Sequence, residues 1–539
     1  MKDISSTASF VDFTLENFIY VDKTEYIPKL VKLKRVFISR PRRFGKSLTL
    51  DTIGTLFEKG VEPYFKDTWI YDKWTEPTYP VFRLSFLNLD NSSLDLFKKQ
   101  LNSIISEFAN KINVKGYVEK TEPEDSILSL LEKLEETRQI VILIDEYDYQ
   151  LTSNINHDEL YKQFQQKIKR IYANIKDKFA IKFLGITGVT RLKDVEIFSI
   201  GSDINDITNC SPYSQMIGFT RDEIKKYYID YLKLAASYEN NCTVDNVTEA
   251  QIESLLDRLA KNYDGYCFDE FYKKKVFSTW SVNKFFQSVV SNKFVYFGEY
   301  WYDNGGLPSI LVNYLKTHEL NIFDYLDKNK SLKVTDDDFK NPTSLTTINQ
   351  NVLMCQTGYL TLRSSLNDSN IIALGIPNGE IYKALNKLLA AKFFKGTIDV
   401  TNDANVNILD VGSVEDIISL LNTMVNTVSY DAYPLNSESS VQNYVKAYLL
   451  GAKQNVSSEV HQAKGRADLM IENNKRRIVI EVKYAKDETE TRKKLNEAVE
   501  QIKTRDYGNI VPRKDELLRI AAVFNADPKI RAFTLSQQV

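Results

Sequence analysis

Ile140-Val141-Ile142-Leu143-Ile144 is an unbroken apolar run that passes straight into two carboxylates, Asp145-Glu146. A strand with no polar position has no face to show to water, so it belongs inside a sheet covered on both sides. Sheets of that kind are parallel, with helices as their crossovers. The run therefore predicts an α/β layer. Its acidic end falls at the C-terminal edge of the sheet, where ligands bind in open α/β folds. Three further strands are predicted around it, at Arg35–Ser39, Val81–Phe86 and Phe179–Ile186, with a helix from Lys46 to Glu58.

The first of these strands leads into Arg40-Pro41-Arg42-Arg43-Phe44-Gly45-Lys46-Ser47. A phosphate-binding loop needs a strand, a tight glycine turn and a helix whose free N–H groups meet the anion. On that pattern Arg43, Phe44 and Gly45 form the loop, Lys46 reaches the β- and γ-phosphates, and the Ser47 hydroxyl ligates Mg²⁺. The string departs from the usual loop in having Arg40 in place of the first glycine, and Pro41 fixes φ at the next position. A capped helix start is the competing reading. Asp145 is expected to hold the Mg²⁺ shell and Glu146 to polarise the attacking water, against a solvated acidic turn. Thr187, at the end of the fourth strand, is a candidate γ-phosphate sensor. Arg191 is a candidate charge stabiliser, with a plain surface arginine the equal alternative. Lys29 to Lys46 carries eight basic residues and no acid. Part of that charge is expected on triphosphate; the rest faces nucleic acid or water.

A second constellation lies near the other end: Gly465-Arg466-Ala467-Asp468, then Ile478-Val479-Ile480-Glu481-Val482-Lys483. Phosphodiester hydrolysis needs a metal held by carboxylates and a group that orients or deprotonates water. Glu481 and Lys483 are two apart on one strand and so share a face. Asp468 lies on the preceding strand, across a hairpin turning through Glu472–Lys475. Asp468 and Glu481 are thus expected to bind Mg²⁺, helped by the Val482 carbonyl. Lys483 is expected to activate water or offset transition-state charge. Gly465 permits close approach before the strand, and Arg466 is a candidate phosphate clamp. His461 reads as a packing residue. The alternative is an amphipathic hairpin that shows Asp, Glu and Lys to solvent.

Length and composition bound the setting. A chain of 539 residues exceeds one core and predicts two or three domains. The net charge of −2 means that any nucleic-acid affinity comes from local patches. Four cysteines without a CxxC pair predict a reducing, cytoplasmic setting, and three histidines argue against histidine-rich metal catalysis. No signal peptide is expected at the start. No apolar run approaches the ~20 residues that cross a bilayer, so no membrane partner is expected. Thr220 with Glu223 has capping-box form and opens a helix. The expected divisions are 1–220 for the parallel sheet, 221–325 for a helical lid or adaptor, a polar linker at 326–349, and 350–539 for a second domain. The catalytic core of that domain is expected at about 436–530, in the order helix–strand–strand–strand–helix–strand.

Tyr20-Val21-Asp22-Lys23-Thr24, the RPRRFGKS loop, LIDEYD, ITGVTR and Asn205-Asp206-Ile207-Thr208 together resemble the AAA-ATPase-like domain that is paired with a PD-(D/E)XK nuclease domain. Gly218-Phe219-Thr220, Tyr263-Asp264-Gly265-Tyr266, Trp280-Ser281 and Tyr300-Trp301-Tyr302 resemble its helical part. The resemblance implies an α/β chain: a P-loop NTPase parallel sheet with helical lid, followed by a small restriction-endonuclease-like domain. It makes Arg-Pro-Arg-Arg-Phe the normal loop form. It also casts Glu459 as the acid that often precedes the metal motif and Gln501 as the auxiliary glutamine, with Tyr507 following. The function so implied is an ATP-binding, Mg²⁺-dependent nuclease whose nucleotide state gates cutting. ATP and Mg²⁺ are the cofactors, nucleic acid is the partner with DNA the leading choice, and a homo-oligomer is left open. Two alternatives stand beside it: a nucleotide-dependent switch or adaptor that grips nucleic acid without cutting, and a nuclease held inactive by its own ATPase half.

Overall fold

The computed structural model describes residues 1–539 except 136, 176–177, 194–203, 302–308, 319–323, 326–327, 367–369, 394–407, 427–433, 452–455, 463–464 and 474–475. The chain forms two compact units, one of residues 1–320 and 329–381, the other of 321–328 and 382–539. The polar stretch expected as a linker lies mostly in the first unit. Its Leu332–Thr335 pairs into a small sheet, which gives the stretch backbone partners that its composition does not advertise.

The first unit is built on five parallel strands: β1 (Arg35–Ser39), β2 (Val81–Ser85), β3 (Ile140–Asp145), β4 (Ile181–Gly188) and β5 (Asn205–Asp206). Their order is β2-β3-β4-β1-β5. All five positions of β1 and the first five of β3 are buried, as continuous apolar runs require. Helix α1 (Lys46–Lys59) follows β1 directly. The fourth strand begins two residues later than expected and runs on to Gly188, because Phe179 sits in an exposed turn before it.

Beyond the sheet, Thr220 caps α2 (Arg221–Tyr227) through the reciprocal bonds of a capping box. Helices α3 (Ile229–Asn240), α4 (Glu249–Tyr263) and α5 (Thr279–Asn292) then bury an aromatic-rich core that includes Tyr228, Tyr263, Phe285 and Phe286. A short hairpin, β6 (Tyr266–Cys267) with β7 (Lys275–Val276), lies between α4 and α5. Three antiparallel strands complete the unit: β8 (Leu332–Thr335), β9 (Thr361–Leu366) and β10 (Ile371–Gly375), in the order β8-β10-β9. The chain leaves this unit within α6 (Gly379–Phe393).

The second unit contains α7 (Val414–Asn426), α8 (Glu438–Gly451), β11 (Val456–Gln462), β12 (Gly465–Glu472), β13 (Arg476–Ala485), α9 (Glu488–Arg505), β14 (Glu516–Asn525) and β15 (Ala532–Gln538). From α8 to β14 this is the expected order, with β15 added at the end. The strands lie in sequence order, antiparallel except for β13 and β14, which are parallel and joined across α9. Helix α9 buries Ala498, Val499 and Ile502 against Ala467, Met470, Val479 and Ala521. Among the described residues no helix is long and apolar enough to cross a membrane.

Candidate nucleotide pocket and candidate metal centre

The loop after β1 closes on its own lysine. Lys46 begins α1 and is buried, and its ammonium donates to the carbonyls of Arg40 at 3.0 Å and Pro41 at 3.2 Å. Its Nζ also lies 3.7 Å from Glu146 Oε1. Gly45 immediately before has φ +101°, and a Cβ there would meet nothing within 4 Å. The glycine is therefore required by backbone conformation rather than by space. Arg42 to Thr49, Glu146, Tyr149 and Trp280 line part of a cavity of about 580 Å³, which the amino-terminal residues Ser5 to Thr7 and Tyr20 also border. Cation, helix N-terminus and concavity together suit a polyphosphate.

Arg40, the departure from glycine, is almost wholly buried. Its guanidinium donates to the Ser39 carbonyl at 2.8 Å and to that of Thr208, and lies 4.1 Å from the Phe268 ring centre. Burial lowers its pKa to about 9, against the raising effect of Asp206. Arg40 thus staples the end of β1 to the segment after β5. Phe44 turns its ring away from the loop into Tyr266 and Trp301, at centroid distances of 4.7 and 6.0 Å. Arg43 donates to the carbonyls of Tyr300 at 3.0 Å and Trp301 at 2.7 Å and sits over Trp280. Trp301 N–H in turn donates to Glu380, 2.8 Å away, which also accepts from Ser281. Burial raises the Glu380 pKa to about 7, partly offset by those donors. Tyr302 of the expected aromatic run lies outside the described residues.

At the ends of β3 and β4, the Thr187 hydroxyl donates to Asp145, and the Glu146 N–H donates to the same carboxylate at 2.9 Å. Glu146 has φ +50°, a conformation uncommon for a side-chain-bearing residue and frequent where strain serves a site. Burial raises its pKa, Lys46 opposing and the neighbouring acids assisting. Arg191 is ion-paired with Asp206 and borders no part of the cavity. Asp148 enters the sequence reading only as the last residue of LIDEYD, with no role of its own. It is buried and accepts from Thr190 N at 2.7 Å and Val189 N at 3.3 Å, tying the turn after β3 to the turn after β4. The apolar run before it gave no hint, since the reach is to a partner 42 residues on.

The second site is acidic. Leu469 pairs with Ile480 across β12 and β13, so one step along the register sets Asp468 opposite Glu481. Glu481 is 0 % exposed, and its Oε2 has no hydrogen-bond partner. Lys483 Nζ donates to Glu481 Oε1 at 2.9 Å, and the Val482 N–H donates to Asp468 Oδ2 at 2.9 Å. Glu438, the first residue of α8, reaches 3.4 Å from Lys483. Burial raises Asp468 to about 6 and Glu481 to about 7. Each carboxylate is further pushed up by a neighbouring acid, and Lys483 opposes both shifts. An unpartnered buried carboxylate oxygen beside a second destabilised carboxylate fits a divalent cation. Among the described residues no three acidic, histidine or cysteine side chains close into a metal cage. Two carboxylates make an open donor set, one that would leave positions on a hard cation for water. Gln501 donates to the Tyr507 hydroxyl at 3.3 Å. Glu459 stands on β11 between Ser458 and Val460, which pair with Leu469 and Ala467. Its side chain and that of His461 lie outside the described residues, as do Asn474 and Lys475 of the hairpin turn.

The comparisons with known proteins cover the two regions that hold these sites. Residues 5–198 match the family described as Predicted AAA-ATPase, AAA-ATPase-like. Residues 436–533 match the PD-(D/E)XK nuclease superfamily. The chain carries an AAA-ATPase-like domain and a PD-(D/E)XK nuclease domain. A protein of Azotobacter chroococcum mcd 1, named only "Uncharacterized protein in vnfD 5'region", is 24% identical over 532 residues, covering 95% of this chain and 94% of that one. The likeness therefore spans both domains, and that protein's name assigns no activity.

Proposed function

We propose that this protein binds ATP in its first unit and hydrolyses nucleic-acid phosphodiester bonds, with Mg²⁺, in its second. The observation that carries the nuclease reading is Glu481: a fully buried carboxylate with one oxygen unpartnered, beside Asp468 and Lys483. Keeping such a group costs stability unless a cation satisfies it. Asp468, Glu481 and the Val482 carbonyl would hold Mg²⁺, which when bound supplies a Lewis acid to the phosphodiester. Lys483 orients the attacking water and offsets charge that builds on the phosphate. Gln501 supports the Tyr507 hydroxyl at the rim of the site, and Glu459 is assigned the flanking acid.

In the first unit Lys46 meets the β- and γ-phosphates and Ser47 the accompanying Mg²⁺. Asp145 is held by Thr187 for the same ion, and Glu146 is the base that polarises water. Arg43 serves the loop through its backbone, while its guanidinium reads the Tyr300–Trp301 corner. Arg191 acts from the flank of the site. That corner is bonded to Glu380 at the start of α6, the helix through which the chain enters its second unit. This path supports a gating role for nucleotide.

The test is paired. Asp468→Ala should abolish cleavage and leave ATP binding intact; Lys46→Ala should weaken ATP binding in a direct titration. Cleavage by Asp468→Ala at the parent rate would overturn the metal assignment. Tight Mg²⁺-dependent DNA binding without turnover by the parent would favour the switch reading instead.

A further inference from the structure

Three arginines around the sheet of the second unit are held by acids, and Arg505 is held differently. Arg476 meets Glu516, Arg477 meets Glu472 and Arg519 meets Asp506. Arg505 makes no ion pair among the described residues. It stands at the last position of α9, one turn beyond Gln501 and on the same helix face. Its Nη1 donates to the Tyr507 hydroxyl at 2.9 Å, the oxygen that Gln501 also reaches. Its stem crosses the start of β12 where only glycine leaves room. A Cβ on Gly465 would lie 2.6 Å from Arg505 Cδ and 3.2 Å from both Nε and Nη1. Gly465 is three residues before Asp468, roughly 10 Å along the strand at its usual rise.

Arg505 is solvent-exposed as a residue, yet the direction of its guanidinium is set twice, by the Tyr507 hydroxyl and by the glycine gap. Asp468 and Glu481 both act on it: after the larger effect of Tyr507, their negative charge helps raise its pKa. A guanidinium offers five donors in a planar fork that matches phosphate oxygens. Here one donor is spent on a buried tyrosine. The rest of the fork is left for another acceptor, whereas Arg476, Arg477 and Arg519 each meet an acid.

We propose that Arg505, steered across Gly465 by Tyr507, binds a non-bridging phosphate oxygen of the nucleic-acid backbone beside the Asp468–Glu481 pair. The assignment deepens the nuclease reading and rests on it. It also gives Gln501 and Tyr507 a concrete task, since their hydroxyl–amide contact fixes the aim of the arginine. The Gly465 requirement follows too: any side chain there would push the guanidinium off its path.

The experiment uses the full chain and a fluorescent DNA oligonucleotide, single- and double-stranded. Cleavage is followed in Mg²⁺ and binding in Ca²⁺, each across a salt series. Arg505→Ala should raise KM and the Kd about tenfold, and lower the slope of log affinity on log salt by about one phosphate contact. Arg505→Lys should restore the salt slope while recovering only part of the affinity. Tyr507→Phe keeps the buried ring and removes the hydroxyl; it should raise KM about threefold with the salt slope unchanged. Asp468→Ala should abolish cleavage and leave the salt slope of the parent. A parent that cleaves, with Arg505→Ala matching it in KM and salt slope, overturns the Arg505 assignment and spares the nuclease reading. A parent that neither cleaves nor binds overturns both.

Discussion

The two candidate sites are built from the same three residue types, lysine, carboxylate and glycine, differently arranged. Around the first loop the lysine is spent on backbone carbonyls, and its carboxylate contact, Glu146, is looser at 3.7 Å. In the second unit the lysine touches a carboxylate directly at 2.9 Å, with Asp468 and Glu438 close behind. One site therefore presents cation and helix N–H groups to an anion, and the other presents excess negative charge to a cation. On the proposed reading, the difference teaches that the arrangement of charge, rather than residue type, separates the phosphate receptor from the metal receptor.

The sharpest way to break the comparison is to remove Lys483. Lys483→Ala should lower cleavage roughly 10²–10³-fold, the usual loss when one preorganised charge partner is deleted. It should also destabilise the metal-free protein, since breaking a buried pair costs about 3–5 kcal/mol. Added Mg²⁺ should recover more stability in this variant than in the parent, which a melting series with and without EDTA would read. Equal Mg²⁺ effects on both proteins would count against a cation at Glu481.

Lys46→Ala is the matching change at the other site. Loss of a charge-assisted hydrogen-bond donor to phosphate, worth about 1.5–3 kcal/mol, should weaken ATP binding roughly 10- to 100-fold by calorimetry. Cleavage without ATP should be untouched. Identical ATP affinity would remove the loop from the site.

Glu380 gives a pH test of intermediate size. Its folded pKa is raised to about 7 from the ordinary 4.5, so the folded state holds the proton more tightly than the unfolded chain. That contribution to stability is complete below the unfolded value and is lost as pH rises through 7. Glu380→Gln should flatten this slope between pH 5 and 8 in thermal melts at fixed ionic strength. An unchanged slope would assign the titration elsewhere. Gly45→Ala is the mildest change: at φ +101° a side chain costs about 1–2 kcal/mol, with no clash to add. ATP affinity should fall less than in Lys46→Ala.

Much of this was legible in the sequence. The β1–loop–α1 unit, the run Ile140–Ile144, the capping box at Thr220 and the Asp468/Glu481 register all follow from local pattern, because a strand's period and a helix's cap are written within a few residues. What the pattern did not carry is long-range. Glu438 meets Lys483 across 45 positions, Asp148 reaches the turn after β4, and the Arg43 and Phe44 side chains meet Trp301. None of these partners shares a segment with the residue it holds, so only the assembled sheet reveals them. The extent of the first unit to Ile381 was hidden for the same reason: β8 is four residues inside a polar stretch and gains its place by pairing with β10.

The most direct measurement is a cleavage panel: full-length protein against single- and double-stranded DNA and RNA, in Mg²⁺ or EDTA, with and without ATP, beside Lys483→Ala. The account predicts cutting of at least one nucleic acid that needs Mg²⁺ and Lys483 and changes in rate with ATP. Cutting that persists in EDTA, cutting by Lys483→Ala at the parent rate, or no cutting of any substrate, would contradict it.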